Sequence, residues 1–443
     1  MRSHRIIISV ILWLVTFCEP HHKTHKQDES CNVPQDIVDN IASYANITNQ
    51  IIDYFTKGPF KGQTYKHLAK FIDTFGNRLS GSQNLENAID YMVKLTKEHG
   101  LHDVHTEKYK VPRWVRGEEN ATLLEPRYKN LPMLGLGASV GTPPEGITAQ
   151  AIVVQSFDEL DNVSVVGKIV VYAQPFIDYD TTVIYRLDGA SKAAKKGAVA
   201  ALVRSVTPFS MATPHTGVQE YEANVTQIPV ASITLEDADE LLRMQNDGKS
   251  IIIKLNMSPT SDTKVSRNTI IDVKGKLKKK KIVVVSGHLD SWDVGEGAMD
   301  DGVGCFISWM VPVALKEINL HPERTIRTIL WTGEEQSWIG AIAYEKRHRS
   351  INHNLNFVME SDTGAFNPLG LNYIGNKAGE CVMREILKLF SAINATQIQL
   401  GEPQSDIKVW SDQGIPAGGL HNENDKYFWF HHSAADTMNV IDT

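Results

Sequence analysis

Three short apolar runs, each closing on acid or imidazole, constrain this chain more than any other feature. "KIVVVSG" leads to His288, "TIRTILWTG" to Glu334 and Glu335, and "LNFVMES" to Asp362. Between the first two lies "GVGCFISWMVPVALKEI", read as a helix in which Pro312 imposes a kink. Strands alternating with helices from Asn268 onward predict a mostly parallel central sheet flanked by helices, an α/β fold. Such sheets place ligands beyond the carboxyl ends of their strands, and the polar residues fall there.

The rest of the chain is expected to support that sheet. "IVDNIASYANITNQIIDYF" and "NLENAIDYMVKLTKEHG" carry apolar residues at helical spacing, the second closed by Gly100. A Gly- and Pro-rich passage, "LPMLGLGASVGTPPEG", opens a stretch of strands and amphipathic helices without an acid and His cluster. It is no dinucleotide loop, because "TPPEG" stands where a helix must open to hold a pyrophosphate. The stretch reads as an inserted smaller α/β domain over 131–262, between catalytic parts at 43–130 and 263–443.

The first residues read as an address rather than a fold. "MRSHR" followed by "IIISVILWLVTF" resembles a secretory signal, assigned to 1–18, and the polar, patternless segment after it a pro-segment over 19–42. Sequons at Asn46, Asn120, Asn162, Asn224 and Asn394 agree with a secreted glycoprotein routed through the endoplasmic reticulum and Golgi apparatus; Pro259 makes Asn256 a poor acceptor. No later segment reads as long and apolar enough to span a membrane. A net charge of −7 gives no electrostatic reason to expect nucleic acid. Of the four cysteines, Cys18 leaves with the signal, Cys31 lies in the polar lead, and Cys305 and Cys381 fall in helices as small hydrophobes. No disulfide framework is visible.

Each polar cluster has an ordinary explanation when taken alone. An Asp in "SGHLDSWDVGEGAMDDG" suits a solvated turn, paired Glu suit a helix start, and His431 and His432 beside "DKYFWF" suit packing. Four such stretches on strand-end loops of one sheet are harder to attribute to chance.

The order "GHLDSWD", "DDG", "GEE", "ESD", "HHSAADT" resembles the co-catalytic zinc peptidases that include secreted aminopeptidases and glutamate carboxypeptidase II. The inserted segment is similar to their protease-associated domain. The resemblance implies two Zn2+ per chain: His288 and Asp362 bind one, Glu335 and His432 the other, and Asp300 bridges both. It implies that Glu334 is the base for a metal-held water, and that Asp300-Asp301 is a cis peptide. Asp290 is expected to accept the second imidazole N–H of His288. His431 stands where many relatives carry a Tyr that assists the oxyanion. The implied activity is that of a secreted or lysosomal exopeptidase on small peptides, dipeptides with free termini foremost, working as a homodimer and released from a zymogen. A general aminopeptidase is the alternative within enzymes, and a metal-free, protein-binding ectodomain of the same fold the alternative outside them.

Overall fold

The computed structural model describes residues 31–364, 366–401 and 405–441. The expected signal, 1–18, and the opening of the pro-segment, 19–30, lie outside the described residues. The chain divides into two compact units. The first runs up to Val111 and includes Val265–Asn424 and the residues from Thr437; the second comprises Pro112–Lys264 and Asp425–Asp436.

The first unit is built on an eight-stranded sheet. Its strands lie in the order Val104–Val115, Thr260–Val273, Arg324–Trp331, Lys278–His288, Leu355–Glu360, Ala417–Asn422, Pro368–Ile374 and Gln397–Leu400. Lys278–His288 is flanked on both sides by parallel neighbours, Arg324–Trp331 and Leu355–Glu360. Where that strand is covered on both faces it is apolar, which accounts for Ile282, Val283, Val284 and Val285, all buried, while Lys278–Lys280 before them are exposed. Antiparallel pairs join Thr260–Val273 to Arg324–Trp331 and Pro368–Ile374 to Ala417–Asn422.

Helix Val303–Glu317 packs on this sheet, contains Pro312, and is buried from Val303 through Leu315. By length and composition alone the segment Ala298–Glu317 would pass for a membrane span. Its apolar residues are those of a core helix, since they are all buried within the protein. The amino-terminal passages form helices Gln35–Ala42, Ala45–Thr56, Gln63–Phe75 and Gln83–Glu98. Ser82 caps the last by accepting from Leu85 N at 3.1 Å, and Gly100, at φ +70°, supplies the left-handed exit.

The reading of the cysteines needs a correction. Cys31 and Cys381 form a disulfide across 350 residues. Helix Gln35–Ala42, just after Cys31, packs on Lys377–Leu387, the helix that carries Cys381, and this long-range packing brings the thiols together. Cys305 is a buried free thiol.

The second unit has its own eight-stranded sheet, ordered Lys129–Leu131, Glu119–Glu125, Ile252–Met257, Ile147–Val154, Ile169–Tyr172, Ala200–Arg204, Val230–Ile233 and Met133–Gly135. Its central strands, from Ile147–Val154 to Val230–Ile233, are parallel, and Ile169–Tyr172 and Val230–Ile233 are wholly buried. Helices Ile184–Lys195 and Leu235–Asn246 pack on them.

Candidate metal centre

Sheet register sets the geometry of the site. His288 ends its strand opposite Trp331, and Ser286 lies opposite Glu360, so the loops carrying Glu334, Glu335 and Asp362 leave the same edge at nearly the same level. Asp300 arrives from the turn before helix Val303–Glu317, through a cis peptide to Asp301.

The side chains converge on the His288 imidazole, which is 1% exposed. Its Nε2 lies 3.2 Å from Asp300 Oδ1, 3.1 Å from Asp362 Oδ1 and 3.9 Å from Glu334 Oε2. Donor atoms of His288, Asp300 and Glu335 fall within 4.8 Å of one another, as do those of His288, Asp301 and Asp362. Asp301 is the less suited of these to hold an ion. Its Oδ2 accepts His288 N at 3.0 Å and its Oδ1 accepts Gly304 N at 3.0 Å, so both oxygens fasten the backbone under the site. That grip needs glycine at 304, where a Cβ would lie 1.8 Å from Ser361 O and 2.2 Å from Asp301 Oδ1.

Asp290 acts differently from the expectation. The partner of His288 Nδ1 is the main-chain oxygen of Asp290, at 3.0 Å, while its carboxylate Oδ1 stands at 3.8 Å. That carboxylate instead faces the next loop and accepts Glu334 N at 3.4 Å. A main-chain acceptor on Nδ1 still leaves Nε2 as the atom turned to the carboxylates, and the Asp290 side chain steadies the turn bearing Glu334 and Glu335.

Charge in this pocket is crowded. Burial would lower the His288 pKa, but Asp362, Asp300 and Glu334 outweigh it and raise the net value well above the usual range. Burial, reinforced by the charges of Asp362, Glu335 and Asp300 against the opposing imidazole, raises Glu334. Burial and the charge of Asp362 push Glu360 up to about 8. Burying so many carboxyls is costly unless a cation offsets them. Imidazole nitrogen and carboxylate oxygens at this spacing are a donor set that suits zinc, and the residues present fit that ion. Glu334 is held from its far side, Oε1 accepting Trp338 Nε1 at 3.0 Å.

Sequence reasoning missed Arg78, which is fully buried. Its guanidinium donates to Leu289 O at 2.7 Å, Glu296 O at 2.9 Å and Gly297 O at 2.7 Å, pinning the loop between His288 and Asp300. Nothing in "GNRLSGS" distinguishes it from a solvated Arg.

The structure thus brings together His288, Asp290, Asp300, Glu334, Glu335 and Asp362 within the first unit. His431 and His432 belong to the second. They follow helix Tyr427–Phe430 rather than a strand end, and the aromatic run places them: Phe428 stacks on Tyr179 at 4.5 Å and Trp429 tilts against Phe209 at 4.5 Å. There His432 Nδ1 lies 3.3 Å from Thr216 O, and His431 O accepts His215 Nδ1 at 2.6 Å. The sequon residues Asn46, Asn120, Asn162, Asn224 and Asn394 are all exposed.

Comparison with known proteins agrees with this architecture. The sequence pattern of Peptidase family M28 matches residues 268–443 and that of the PA domain residues 129–241. The chain is 50% identical over 408 residues to carboxypeptidase Q of Xenopus laevis, covering 91% of this chain and 86% of the relative. To carboxypeptidase Q of Homo sapiens it is 47% identical over 414 residues, 92% of this chain and 87% of the other. Among solved structures, a peptidase M28 precursor from Shewanella amazonensis SB2B aligns with a TM-score of 0.84 at 29% identity, over 91% of this chain and 93% of that one. A zinc aminopeptidase from Bacillus subtilis aligns at 0.66 with 19% identity, over 87% and 91%, a likeness of fold alone.

Proposed function

Because the chain belongs to the carboxypeptidase Q family of M28 peptidases, and is therefore a zinc metallopeptidase, we propose that it is a secreted exopeptidase cleaving small peptides, dipeptides with free termini foremost, with Glu334 as its proton carrier. The observation that carries this reading is the convergence of His288, Asp300, Asp362 and Glu335 donor atoms at one sheet edge. In it, the residues that would hold zinc are His288, Asp362, Glu335 and His432, together with Asp300. The part of His432 rests on the sequence resemblance.

Zinc bound there would polarise the scissile carbonyl and acidify water toward neutrality. The chain's own contribution is to aim and carry protons. Trp338 Nε1 occupies Glu334 Oε1, leaving Oε2 on the side of His288 Nε2. Glu334 takes a proton at Oε2 from the attacking water and delivers it to the leaving amine, a role worth about 10² to 10⁴ in rate. The Asp290 carboxylate keeps the Glu334 turn in place by accepting the main-chain N–H of Glu334.

The test is hydrolysis of dipeptides blocked at either end or neither, with zinc content measured in parallel. Glu334→Gln should retain zinc while kcat falls about 10² to 10⁴-fold. Full turnover by the zinc-loaded variant removes Glu334 from the mechanism. Cleavage that tolerates a blocked carboxyl terminus but not a blocked amino terminus favours a general aminopeptidase. Secretion or lysosomal delivery, glycosylation at the exposed sequons, activation by loss of the lead segment, and a homodimer belong to the same proposal. Glycosidase treatment, processing assays and sedimentation test them.

A further inference from the structure

Arg186 lies in the inserted unit, far in sequence from every residue expected to touch metal or substrate. It is only 7% exposed. A guanidinium brought out of water must be repaid by well-placed acceptors, and those it has are unusual. Arg186 Nε donates to Val218 O at 3.2 Å, Nη1 to Thr216 O at 3.4 Å, and Nη2 to Tyr179 Oη at 2.9 Å. Nη1 also stands 3.5 Å from His432 Nδ1. The fork therefore clasps the backbone from Thr216 to Val218 and reaches the imidazole beside it.

The backbone is shaped for that clasp. Gly217, at φ +139°, has no Cβ; one placed there would lie 2.4 Å from the Arg186 guanidinium carbon. On its other side the same segment holds the His431–His432 stretch as a short antiparallel pair. Thr216 N donates to His432 O at 2.8 Å, His215 Nδ1 to His431 O at 2.6 Å, and His215 bridges Ser433. His432 itself sits at φ +57°, uncommon for a residue other than glycine and sustained only where surroundings over-determine it. Its Nδ1 lies 3.3 Å from Thr216 O. Donation of Nδ1–H to that carbonyl leaves the lone pair on Nε2, the form in which an imidazole binds metal.

We propose that Arg186 is a positioning residue for His432: by clasping Thr216, Gly217 and Val218 it fixes the carbonyl that selects the imidazole's tautomer and direction, and with them the zinc affinity of His432. This rests on the reading of His432 as a ligand. All the contacts lie within one unit, so the device is in place whether or not zinc is bound. Lysine cannot replace the fork, because one ammonium does not span three divergent acceptors.

Zinc affinity, read by competition with a chromogenic chelator on the full chain, tests the inference. His432→Ala should weaken one zinc equivalent, and Arg186→Met and Arg186→Lys should each weaken that same equivalent about 10 to 100-fold, with native circular dichroism retained. Tyr179→Phe keeps the ring stacked on Phe428 and removes one acceptor, and should show a smaller loss of the same kind even if Arg186→Met folds poorly. If His432→Ala weakens zinc while Arg186→Met and Tyr179→Phe bind as the wild type does, the positioning role is overturned and the ligand reading stands. If His432→Ala itself binds zinc like the wild type, the ligand reading falls and this inference with it. A rise in KM for peptides with a free carboxylate at unchanged zinc affinity assigns Arg186 to the substrate and likewise overturns the proposal.

Discussion

Asp301 is the residue on which the centre's backbone hangs. It accepts two main-chain N–H groups, from His288 and from Gly304, and is fully buried. Replacing it with Ala leaves both donors unsatisfied, a cost of about 1 to 3 kcal/mol for each. Asp301→Ala is expected to lower the urea midpoint and to weaken zinc binding about 10 to 100-fold, both measurable on purified protein. Retention of wild-type zinc affinity would show that the grip on His288 N is dispensable. Residues of this kind explain what the sequence conceals: His288, Asp300, Glu334, Glu335 and Asp362 are legible because acid and imidazole cluster at strand ends. Asp301 and Arg78 serve the same centre through main-chain atoms, and a bond to a main-chain atom leaves no trace in residue type. The Asp290 side chain was misread for a related reason, since two residues from His288 it offers either its carbonyl or its carboxylate, and only tertiary geometry decides.

Among elements, the antiparallel join of Thr260–Val273 to Arg324–Trp331 carries a buried ion pair. Asp272 and Arg327 are directly opposed in the register and meet in a two-pronged pair, at 2.7 Å from Nε and 2.7 Å from Nη2, with side chains 2% and 13% exposed. Burial pushes the Asp272 carboxyl up, but hydrogen bonds and charge from Arg327 and Lys274 more than reverse that, and its pKa ends below the usual value. The sign follows from linkage: a carboxyl depressed on folding contributes stability above its unfolded pKa of about 4, and the contribution is lost as pH falls through the lower folded value. Acid should therefore weaken the wild type below about pH 4 by a component absent from Asp272→Asn. Asp272→Ala, which strands a buried guanidinium, should cost about 3 to 5 kcal/mol in equilibrium unfolding, and a loss under about 1 kcal/mol would mean that water replaces the carboxylate. Arg324–Trp331 was legible from its apolar run, whereas the antiparallel direction of Thr260–Val273 was not, because direction depends on where the chain returns after the inserted unit.

Over the whole molecule, the sequence revealed the inserted unit through alternating strands and helices, and the catalytic unit through its strand-end clusters. It did not reveal that Asp425–Asp436 belongs with the insert, because twelve residues after a strand of the first sheet give no local sign of leaving it. Nor did it reveal the pairing of Cys31 with Cys381, which depends on two helices meeting across 350 residues. Closing so long a loop restricts the unfolded chain, and Cys381→Ser should cost about 2 to 4 kcal/mol in oxidising buffer while reductant should bring the wild type to the same stability. No change on reduction would place the stabilisation elsewhere. The same bond governs what maturation can release: a protease cutting anywhere from 32 to 42 would sever the peptide yet leave the upstream fragment leashed to helix Lys377–Leu387, visible on a gel only after thiol treatment. Only a cut before Cys31 sets a leader adrift.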